Sequence, residues 1–430
     1  MSAPVLQSLI ANRWVGAKAA RPLHSAINGR LVAQTHAEAL DFAEALHFAR
    51  GQALPALLKL DFQQRAATLK ALAAFLMERK ESLYAISAHT GATRADSWID
   101  IEGGIGTLFA YASTGRRELP SSNIVHEGPA VALGKEGSFI GSHVLVPKRG
   151  VAVHINAFNF PMWGMLEKFA PSFLAGMPCI VKPASATSYV AEAAARLMHE
   201  SGLLPAGALQ LIVGSSGDLL DRLEETDVVT FTGSADTAAM LRVNKNLIAR
   251  SVPFNAEADS LNCAILAPDV TPDDPEFELF VKEVAREMSA KAGQKCTAIR
   301  RAIVPRQYVD ALAGMLRERL AKIKVGDPAV EGVRMGALAS LEQQADVAAK
   351  LARLAEGNEL ILSARDGFAP LGEGVGEGAF FAPTLILCRD ALRNSAVHEV
   401  EAFGPVSTLM PYDSFDEALA LAAKGRGSLV

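Results

Sequence analysis

Cysteine is scarce in this sequence of 430 residues, and the few cysteines are scattered. The four cysteines, Cys179, Cys263, Cys296 and Cys388, form no C-x-x-C pair and no cluster with histidine at the spacing that zinc requires. They are also too few for a disulfide framework. The sequence therefore predicts no metal site and a protein of a reducing compartment.

Long apolar runs and an excess of positive charge are also missing. No uncharged apolar stretch of about 18 residues occurs, and no basic segment followed by an apolar one begins the chain, which argues against membrane insertion and export. The formal net charge of -5 argues against a nucleic-acid partner. We therefore expect a cytoplasmic protein without a membrane or nucleic-acid partner.

The remaining composition is typical of a large globular protein. The residues are 50% hydrophobic and 21% charged, and a chain of 430 residues predicts two or three domains. Residues 1–120 predict mainly helices, one of them opened by Asp61 as N-cap, and residues 123–147 predict two or three short strands. From residue 151 onward, short apolar runs alternate with helical stretches. This alternation predicts parallel sheets with ligands at the carboxyl ends of the strands.

Cys296 differs from the other cysteines in its local sequence. It lies in "SAKAGQKCTAIRRAIVP", in a loop between a predicted helix and a predicted strand, with Lys295 and Thr297 as its neighbours. Gly293 permits a tight turn just before it. The other three cysteines lie in or beside apolar strand runs, where a buried structural role is usual. From its context we therefore expect Cys296 to be the accessible cysteine, although a structural role is the usual one for a free cysteine.

Five motifs then carry a resemblance to a known family. They are, in chain order, "NAFNFPMW" at residue 156, "CIVKPA" at 179, "VVTFTGSA" at 228, "GQKCTAIRRAIVP" at 293 and "EVEAFGPV" at 399. Together with the weaker matches "ANRWVG" and "EGAFFAPTLI", they make the sequence resemble the aldehyde dehydrogenases over nearly its whole length. The resemblance implies an α/β aldehyde dehydrogenase fold, with a parallel-sheet, Rossmann-like cofactor domain and an α/β catalytic domain.

The resemblance also implies a division of the chain. Residues 1–122 and 148–258 would form the cofactor-binding domain, and residues 123–147 a β-strand excursion used in oligomerisation. Residues 259–430 would form the catalytic domain. Because related chains continue further, we expect this domain to be incomplete at its C-terminal end.

The resemblance assigns catalytic roles to three residues. Cys296 would attack the aldehyde, and Asn159, with the backbone N–H of Cys296, would stabilise the oxyanion, a contribution typically worth about 100- to 1,000-fold in rate. Glu257 matches the base that activates water, although "NAEADSLN" departs from the usual Glu-Leu-Gly-Gly and Asp259 is a rival carboxylate. Without the resemblance, Asn159 is equally typical of a turn and either carboxylate of a solvated strand end.

No G-x-G-x-x-G follows a strand, so the cofactor site is implied by the resemblance alone. Lys182 would reach the adenosine ribose, Gly233 and Ser234 would meet the pyrophosphate at a helix N-terminus, and Glu401 would hold the nicotinamide ribose. Phe158 and Phe403 complete the expected set. Taken singly, these residues are also typical of a surface lysine, a helix N-cap and a surface glutamate.

Position 185 bears on the choice of cofactor. Many NAD-preferring relatives carry a glutamate three residues after the lysine, where it would repel a 2'-phosphate, whereas this sequence has Ser185. A neutral hydroxyl leaves Lys182 free to face a phosphate of charge about -1.5 to -2. We therefore expect NADP, with NAD as the alternative.

The detailed motifs resemble the branch that oxidises CoA-linked semialdehydes in bacterial aromatic catabolism, which contains the phenylacetate-pathway enzymes and those that act on 3,4-dehydroadipyl-CoA semialdehyde. The resemblance implies a small-molecule aldehyde linked to CoA as the partner, and a homodimer or a dimer of dimers as the assembly. A general aldehyde or semialdehyde dehydrogenase is the nearest alternative. A cofactor-free cysteine hydrolase or acyltransferase would need a histidine partner, and none of the nine histidines lies in a motif that pairs it with Cys296. A non-catalytic protein that kept the fold is the last alternative.

Overall fold

The structure, a computed structural model, describes residues 3–430. The strands of these residues are β1 (Ser8–Ile10), β2 (Arg13–Val15), β3 (Ala19–His24), β4 (Leu31–His36), β5 (Val125–Ala132), β6 (Ile140–Leu145), β7 (Ala152–Ile155), β8 (Cys179–Lys182), β9 (Leu209–Leu211), β10 (Val228–Gly233), β11 (Phe254–Ala258), β12 (Cys263–Ile265), β13 (Arg301–Pro305), β14 (Glu359–Leu362), β15 (Thr384–Leu387) and β16 (Val406–Tyr412).

The α-helices of the same residues alternate with these strands from β7 onward. They are α1 (Phe42–Phe48), α2 (Leu54–Leu58), α3 (Phe62–Glu78), α4 (Lys80–Ser87), α5 (Arg94–Trp98), α6 (Gly104–Glu118), α7 (Pro161–Leu174), α8 (Ser188–Glu200), α9 (Ala235–Arg242), α10 (Lys245–Ala249), α11 (Pro275–Ser289), α12 (Val309–Ala321), α13 (Leu341–Ala355), α14 (Ala396–Glu399) and α15 (Phe415–Ala423). The predicted N-cap Asp61 is confirmed, because its side chain accepts from the Gln64 N–H in a capping box.

The first of two compact units contains residues 3–23, Ala33–Ile86 and Trp98–Ala258. Within the described residues its main sheet has seven strands in the order β11-β10-β7-β8-β9-β1-β2. The strands from β11 to β9 are parallel, as the alternation predicted, and β1 and β2 are added antiparallel. Strands β7 and β8 lie in the interior, where α7 packs against both of them, and α8 packs against α7 and β9.

The sequence analysis missed strands β1 to β4, since it predicted mainly helices over this part of the chain. Strands β1 and β2 have only three residues each, too few for a period-2 pattern to be recognised. The turn between them uses Ala11 and Asn12, with φ of 46° and 62°, without the glycine that usually marks such a hairpin.

The excursion between α6 and β7 is an antiparallel pair, β5 and β6. Its apolar side chains face solvent in this chain. Val131, Phe139 and Ile140 are 57%, 65% and 63% exposed. A two-stranded sheet of this kind is marginally stable unless something covers it.

The second unit contains His24–Val32, Ser87–Ser97 and Asp259–Val430. Its sheet, within the described residues, has five strands in the order β12-β13-β16-β15-β14, parallel except for β14. The sequence analysis assigned the two short segments to the first domain. The structure includes them in the second unit because Ala26 donates to the His89 carbonyl at 2.8 Å and Ala379 donates to the Ala26 carbonyl at 2.7 Å.

Each unit brings its candidate residues to one edge of its own sheet. In the first unit, the loops that follow the parallel strands β7, β8 and β10 leave from the carboxyl edge. In the second unit, β13 and β16 are parallel neighbours, with Arg301 opposite Thr408. The loops that precede these two strands therefore meet at the amino edge.

Candidate active site

Cys296 lies in a turn of the second unit, half-buried, between α11 and β13. Two of the other cysteines are chemically quiet. Burial raises the pKa of the Cys179 and Cys388 thiols, so both stay protonated at neutral pH. Cys263 lies within strand β12. The structural role that the sequence analysis gave to these three agrees with their positions in or beside strands.

The backbone that leads to Cys296 is left-handed at three successive residues. Lys291, Ala292 and Gly293 have φ of 51°, 52° and 69°. Left-handed backbone at a residue other than glycine costs roughly 1 kcal/mol or more, so the surroundings must hold it in place. The Asp96 carboxylate accepts from the Lys291 N–H at 2.7 Å, and the Lys291 ammonium donates to the Thr90 hydroxyl at 2.8 Å.

Asn262 fixes the other side of the same turn. Its amide, fully buried at the start of β12, donates to the carbonyl oxygens of Cys296 at 2.7 Å and Ala298 at 3.0 Å. Lys295, the cation next to the cysteine in sequence, is turned to Glu287, with its ammonium 2.8 Å from both carboxylate oxygens. Its charge is therefore largely neutralised by that carboxylate.

Glu401 lies in the loop before β16 and is buried, with 7% of its surface exposed. Its Oε1 lies 3.5 Å from the Nε of Arg300, and its Oε2 accepts from the Ser260 N–H at 3.2 Å. Burial raises the pKa of Glu401, and the neighbouring guanidinium opposes that shift. The Arg300 guanidinium also lies 5.3 Å from the centre of the Phe403 ring. Glu401 is thus a buried, paired carboxylate and not the surface glutamate that is typical of its residue type.

Asn159 lies in the first unit, in the loop between β7 and α7, and is buried. Helix α7 has no cap from its own N-cap residue, Phe160. Instead, Asp100 accepts from the N–H groups of Met162 at 3.0 Å and Trp163 at 2.8 Å. A carboxylate at a helix N-terminus satisfies free N–H groups and opposes the helix dipole. Asp100 therefore fixes the helix start that directly follows Asn159.

The loops after β7 and β8 are tied together. The Asn156 N–H donates to the Lys182 carbonyl at 3.0 Å, and the Thr187 hydroxyl donates to the Phe158 carbonyl at 3.0 Å. Lys182 ends β8, where burial lowers its pKa. Ser185 opens a short helical turn just beyond it and is half-buried.

Strand β10 ends at Gly233, and Ser234 is the N-cap of α9, accepting from the Thr237 N–H at 3.3 Å. Glu257 lies next to this edge, half-buried on the outer strand β11 and opposite Thr232. Asp259, the rival carboxylate, is exposed, has a φ of 29° and belongs to the second unit.

The candidate residues thus fall into two groups, one in each unit. The first unit carries Phe158, Asn159, Lys182, Ser185, Gly233, Ser234 and Glu257, and the second carries Cys296, Glu401 and Phe403. The sequence analysis did not identify the residues that hold these groups in place, namely Asp96, Asp100, Asn262 and Arg300. No local pattern distinguishes them, since each acts on backbone groups far away in the sequence.

The described residues were also compared with what a metal site and a membrane-spanning helix require. Within residues 3–430, no group of three histidine, cysteine, aspartate or glutamate side chains is placed to hold a metal ion. In the same part of the chain, every helix is too short or too polar to cross a membrane.

Two comparisons with known protein sequences indicate the same family. The sequence profile of the aldehyde dehydrogenase family matches residues 14–429. The chain is 44% identical to the 3,4-dehydroadipyl-CoA semialdehyde dehydrogenase of Aromatoleum evansii, over 99% of this chain and 83% of that protein.

Solved structures agree in fold. Betaine aldehyde dehydrogenase of Staphylococcus aureus, in complex with NAD+, superposes with a TM-score of 0.84 at 24% identity, covering 97% of this chain and 80% of that one. A variant of aldehyde dehydrogenase C of Pseudomonas syringae, in complex with NAD+ and octanal, gives 0.82 at 22% identity, covering 97% and 82%. At these identities the similarity establishes the aldehyde dehydrogenase fold, as the sequence predicted.

Proposed function

The chain belongs to the aldehyde dehydrogenase family, and on that premise we propose that it oxidises a CoA-linked semialdehyde to the carboxylic acid with NADP. Aldehyde oxidation with a nicotinamide nucleotide follows from the family. The finer proposal, of substrate and of NADP over NAD, is supported by the 44% identity over 99% of the chain to 3,4-dehydroadipyl-CoA semialdehyde dehydrogenase and by Ser185.

The residues present at the carboxyl edge of the first unit fit a nucleotide. Among residues 3–430, the buried side-chain amide of Asn156 and the buried hydroxyl of Thr232 meet no hydrogen-bond partner, which is unusual for buried polar groups. Lys182 adds a half-buried cation, and Ser234 opens a helix whose N–H groups suit a pyrophosphate. In the second unit, Glu401 would accept from the nicotinamide ribose. When bound, the nucleotide supplies an acceptor for the hydride of the aldehyde carbon.

The chain's own residues would perform the remaining chemistry. The Cys296 thiolate forms a bond to the aldehyde carbon, and Asn159 donates to the oxyanion that results. Loss of hydride from that carbon leaves a thioester on Cys296. Glu257 takes a proton from water, the hydroxide attacks the thioester carbon, and the carbon–sulfur bond breaks to release the carboxylate and the thiolate.

The single observation that carries the catalytic proposal is the construction around Cys296. A half-buried thiol follows a left-handed backbone segment that Asp96 holds at Lys291, and Asn262 binds the carbonyl of Cys296 itself. Strained, over-determined backbone of this kind clusters at functional sites. A purely structural cysteine would need no such support.

The direct experiment is a screen of free and CoA-linked semialdehydes, each with NADP and with NAD, followed by the fluorescence of the reduced nucleotide. We expect the highest kcat/KM with a CoA-linked semialdehyde and NADP. A hydrolase, an acyltransferase or a non-catalytic protein would form no reduced nucleotide with any aldehyde. Equal rates with free and CoA-linked semialdehydes would favour a general aldehyde dehydrogenase.

The cofactor preference can be tested at Ser185. We expect Ser185→Glu to shift the ratio of kcat/KM from NADP toward NAD by about tenfold or more, because a carboxylate would face the 2'-phosphate. Ser185→Gln is the matched control, since glutamine has the same size as glutamate but carries no charge. An unchanged ratio in Ser185→Glu would mean that the 2'-phosphate binds elsewhere.

The assembly and location complete the proposal. The exposed apolar side chains of β5 and β6 support a homodimer, or a dimer of dimers, that covers this pair of strands. The cytoplasmic location stays a prediction from composition.

A further inference from the structure

Two loops of the second unit come into close contact at the amino edge of its sheet. One loop carries Cys296 and the other carries Glu401. Gly293, in the first loop, approaches Gly404, in the second, so closely that a Cβ on Gly293 would lie 2.1 Å from the Gly404 carbonyl oxygen. The two loops are therefore packed backbone against backbone, and a shift of one would displace the other.

The guanidinium of Arg300 bridges these loops. Its Nη1 donates to the Gly404 carbonyl at 2.8 Å, and its Nη2 donates to the carbonyls of Gly293 at 2.8 Å and Lys295 at 3.3 Å. Its remaining nitrogen, Nε, lies 3.5 Å from Glu401. Arg300 is 4% exposed, so its charge is compensated by these contacts and not by water.

Arg300 also has an electrostatic effect on Glu401, in addition to its hydrogen bonds to the two loops. Burial raises the pKa of Glu401 and so favours its neutral form, and the charge of Arg300 opposes this shift. The charge of Arg300 would also favour the thiolate form of Cys296, whereas the ammonium of Lys295 is paired with Glu287. One buried cation thus acts on both the predicted nucleophile and the predicted ribose ligand.

We propose that Arg300 is a positioning residue that holds the Cys296 loop and the Glu401 loop in a fixed register, and that it acts on nucleotide binding through Glu401. This inference rests on the proposed function. It goes beyond it by assigning to one side chain the coupling between nucleophile and nucleotide. A guanidinium suits this role because its planar donors can bind several carbonyls and a carboxylate at once.

The neighbouring Arg301 provides a matched control within the same strand region. It is 1% exposed and, like Arg300, donates to backbone carbonyls, those of Leu261 at 2.7 Å, Leu421 at 2.7 Å and Ala422 at 3.1 Å. These carbonyls lie outside the two loops, and the further contact of Arg301, 3.1 Å from Nη1 to the Nδ1 of His398, is made to helix α14 and not to Glu401. Arg301 is therefore expected to support the fold of the second unit without acting on Glu401.

The experiment compares Arg300→Met, Arg301→Met, Glu401→Gln and the double variant Arg300→Met/Glu401→Gln, with the Kd for NADPH measured by its fluorescence. We expect Arg300→Met to raise the Kd by about tenfold or more, and Arg301→Met to change it by less than about threefold while lowering Tm. In the Glu401→Gln background, Arg300→Met should add less than about threefold, since the residue through which it acts is already altered. Arg300→Lys should restore part of the affinity by returning the charge.

Three results would overturn the inference: equal effects of Arg300→Met and Arg301→Met, full additivity of Arg300→Met with Glu401→Gln, or no change in Kd in Arg300→Met. If Arg300→Met does not fold, Arg300→Lys is compared with wild type in both Glu401 backgrounds, and the same criterion of additivity applies. Because the readout is nucleotide affinity and not turnover, a failure of this inference is distinguishable from a failure of the proposed aldehyde oxidation.

Discussion

The candidate residues of the two units lie at opposite edges of their respective parallel sheets. In the first, the candidate residues follow β7, β8 and β10 and so lie at the carboxyl edge, where α7 and α9 begin. In the second, Cys296 and Glu401 precede β13 and β16 and lie at the amino edge, where α11 and α14 have already ended.

This difference has an electrostatic consequence. Helix N-termini present free N–H groups and attract anions, so the first unit can bind a phosphate with its backbone. Helices that end before a loop present carbonyl groups instead. In the second unit a buried side chain, Arg300, supplies the positive charge and satisfies carbonyls at the same time. The comparison predicts that the nucleophile of the second unit can be removed while the first unit still binds the phosphates of the nucleotide.

The largest effect is expected for Cys296→Ala, which removes the nucleophile from the amino edge of the second unit. Aldehyde oxidation should fall by about 1,000-fold or more, because no acyl bond to the enzyme can form. The Kd for NADPH should stay within about threefold of wild type, since the phosphates are held by the first unit. Both quantities can be measured on one preparation by nucleotide fluorescence.

The matched control is Cys263→Ala, a half-buried cysteine of strand β12 that has no role in the proposed reaction. We expect its kcat to stay near that of wild type. If Cys296→Ala kept activity within tenfold of wild type, the nucleophile would be another group. If it lost nucleotide affinity together with activity, the two edges would not be separable.

The next largest effect on turnover is expected for substitution of Glu257, on the outer strand of the first unit. Glu257→Gln keeps the shape and removes the base, so hydride transfer should occur once per site as a burst of reduced nucleotide, after which turnover stalls. Intact-mass measurement should then show the acyl group on Cys296. Asp259→Asn is the control and should turn over normally. Normal turnover in Glu257→Gln, with no adduct, would transfer the role to Asp259 or to another group.

The comparison also explains which features the sequence could predict. The strand–helix alternation predicted the parallel strands of both units, and the N-cap role that "FTGSA" suggests for Ser234 is seen in the structure. These features are local, because they depend on periodicity and on residues within one turn. The general rule that ligands bind at carboxyl ends agrees with the nucleotide site that we propose for the first unit.

The remaining features depend on contacts between distant parts of the chain. Arg300 and Arg301 are adjacent and both buried, yet one contacts Gly404 and the other Leu421. No pattern in "AIRRAIVP" distinguishes them. Glu401 is likewise buried beside Arg300 and Ser260, which lie more than 100 residues away in the sequence. The amino-edge residues could therefore be proposed from family resemblance, but their burial and contacts could not be derived from the sequence.

The smallest effect is expected for substitution of Asp100, which caps the helix that starts at the carboxyl edge of the first unit. Its carboxylate accepts from the first N–H groups of α7, at Met162 and Trp163, and Asn159 stands two residues before that helix. Asp100→Ala should lower the free energy of unfolding by about 0.5–2 kcal/mol, the usual cost of a lost cap. The kcat should fall severalfold, because the amide of Asn159 is no longer held for the oxyanion, and the Kd for NADPH should change little.

Urea unfolding measures the change in the free energy of unfolding, and steady-state kinetics measure the change in kcat. Asp100→Asn is the control, since it keeps an acceptor oxygen and loses only the charge, and it should retain most of both stability and kcat. A stability loss in Asp100→Ala with an unchanged kcat would show that α7 does not position Asn159. The carboxyl edge would then depend on the bonds between its loops, such as that from Thr187 to Phe158, and not on the start of its helix.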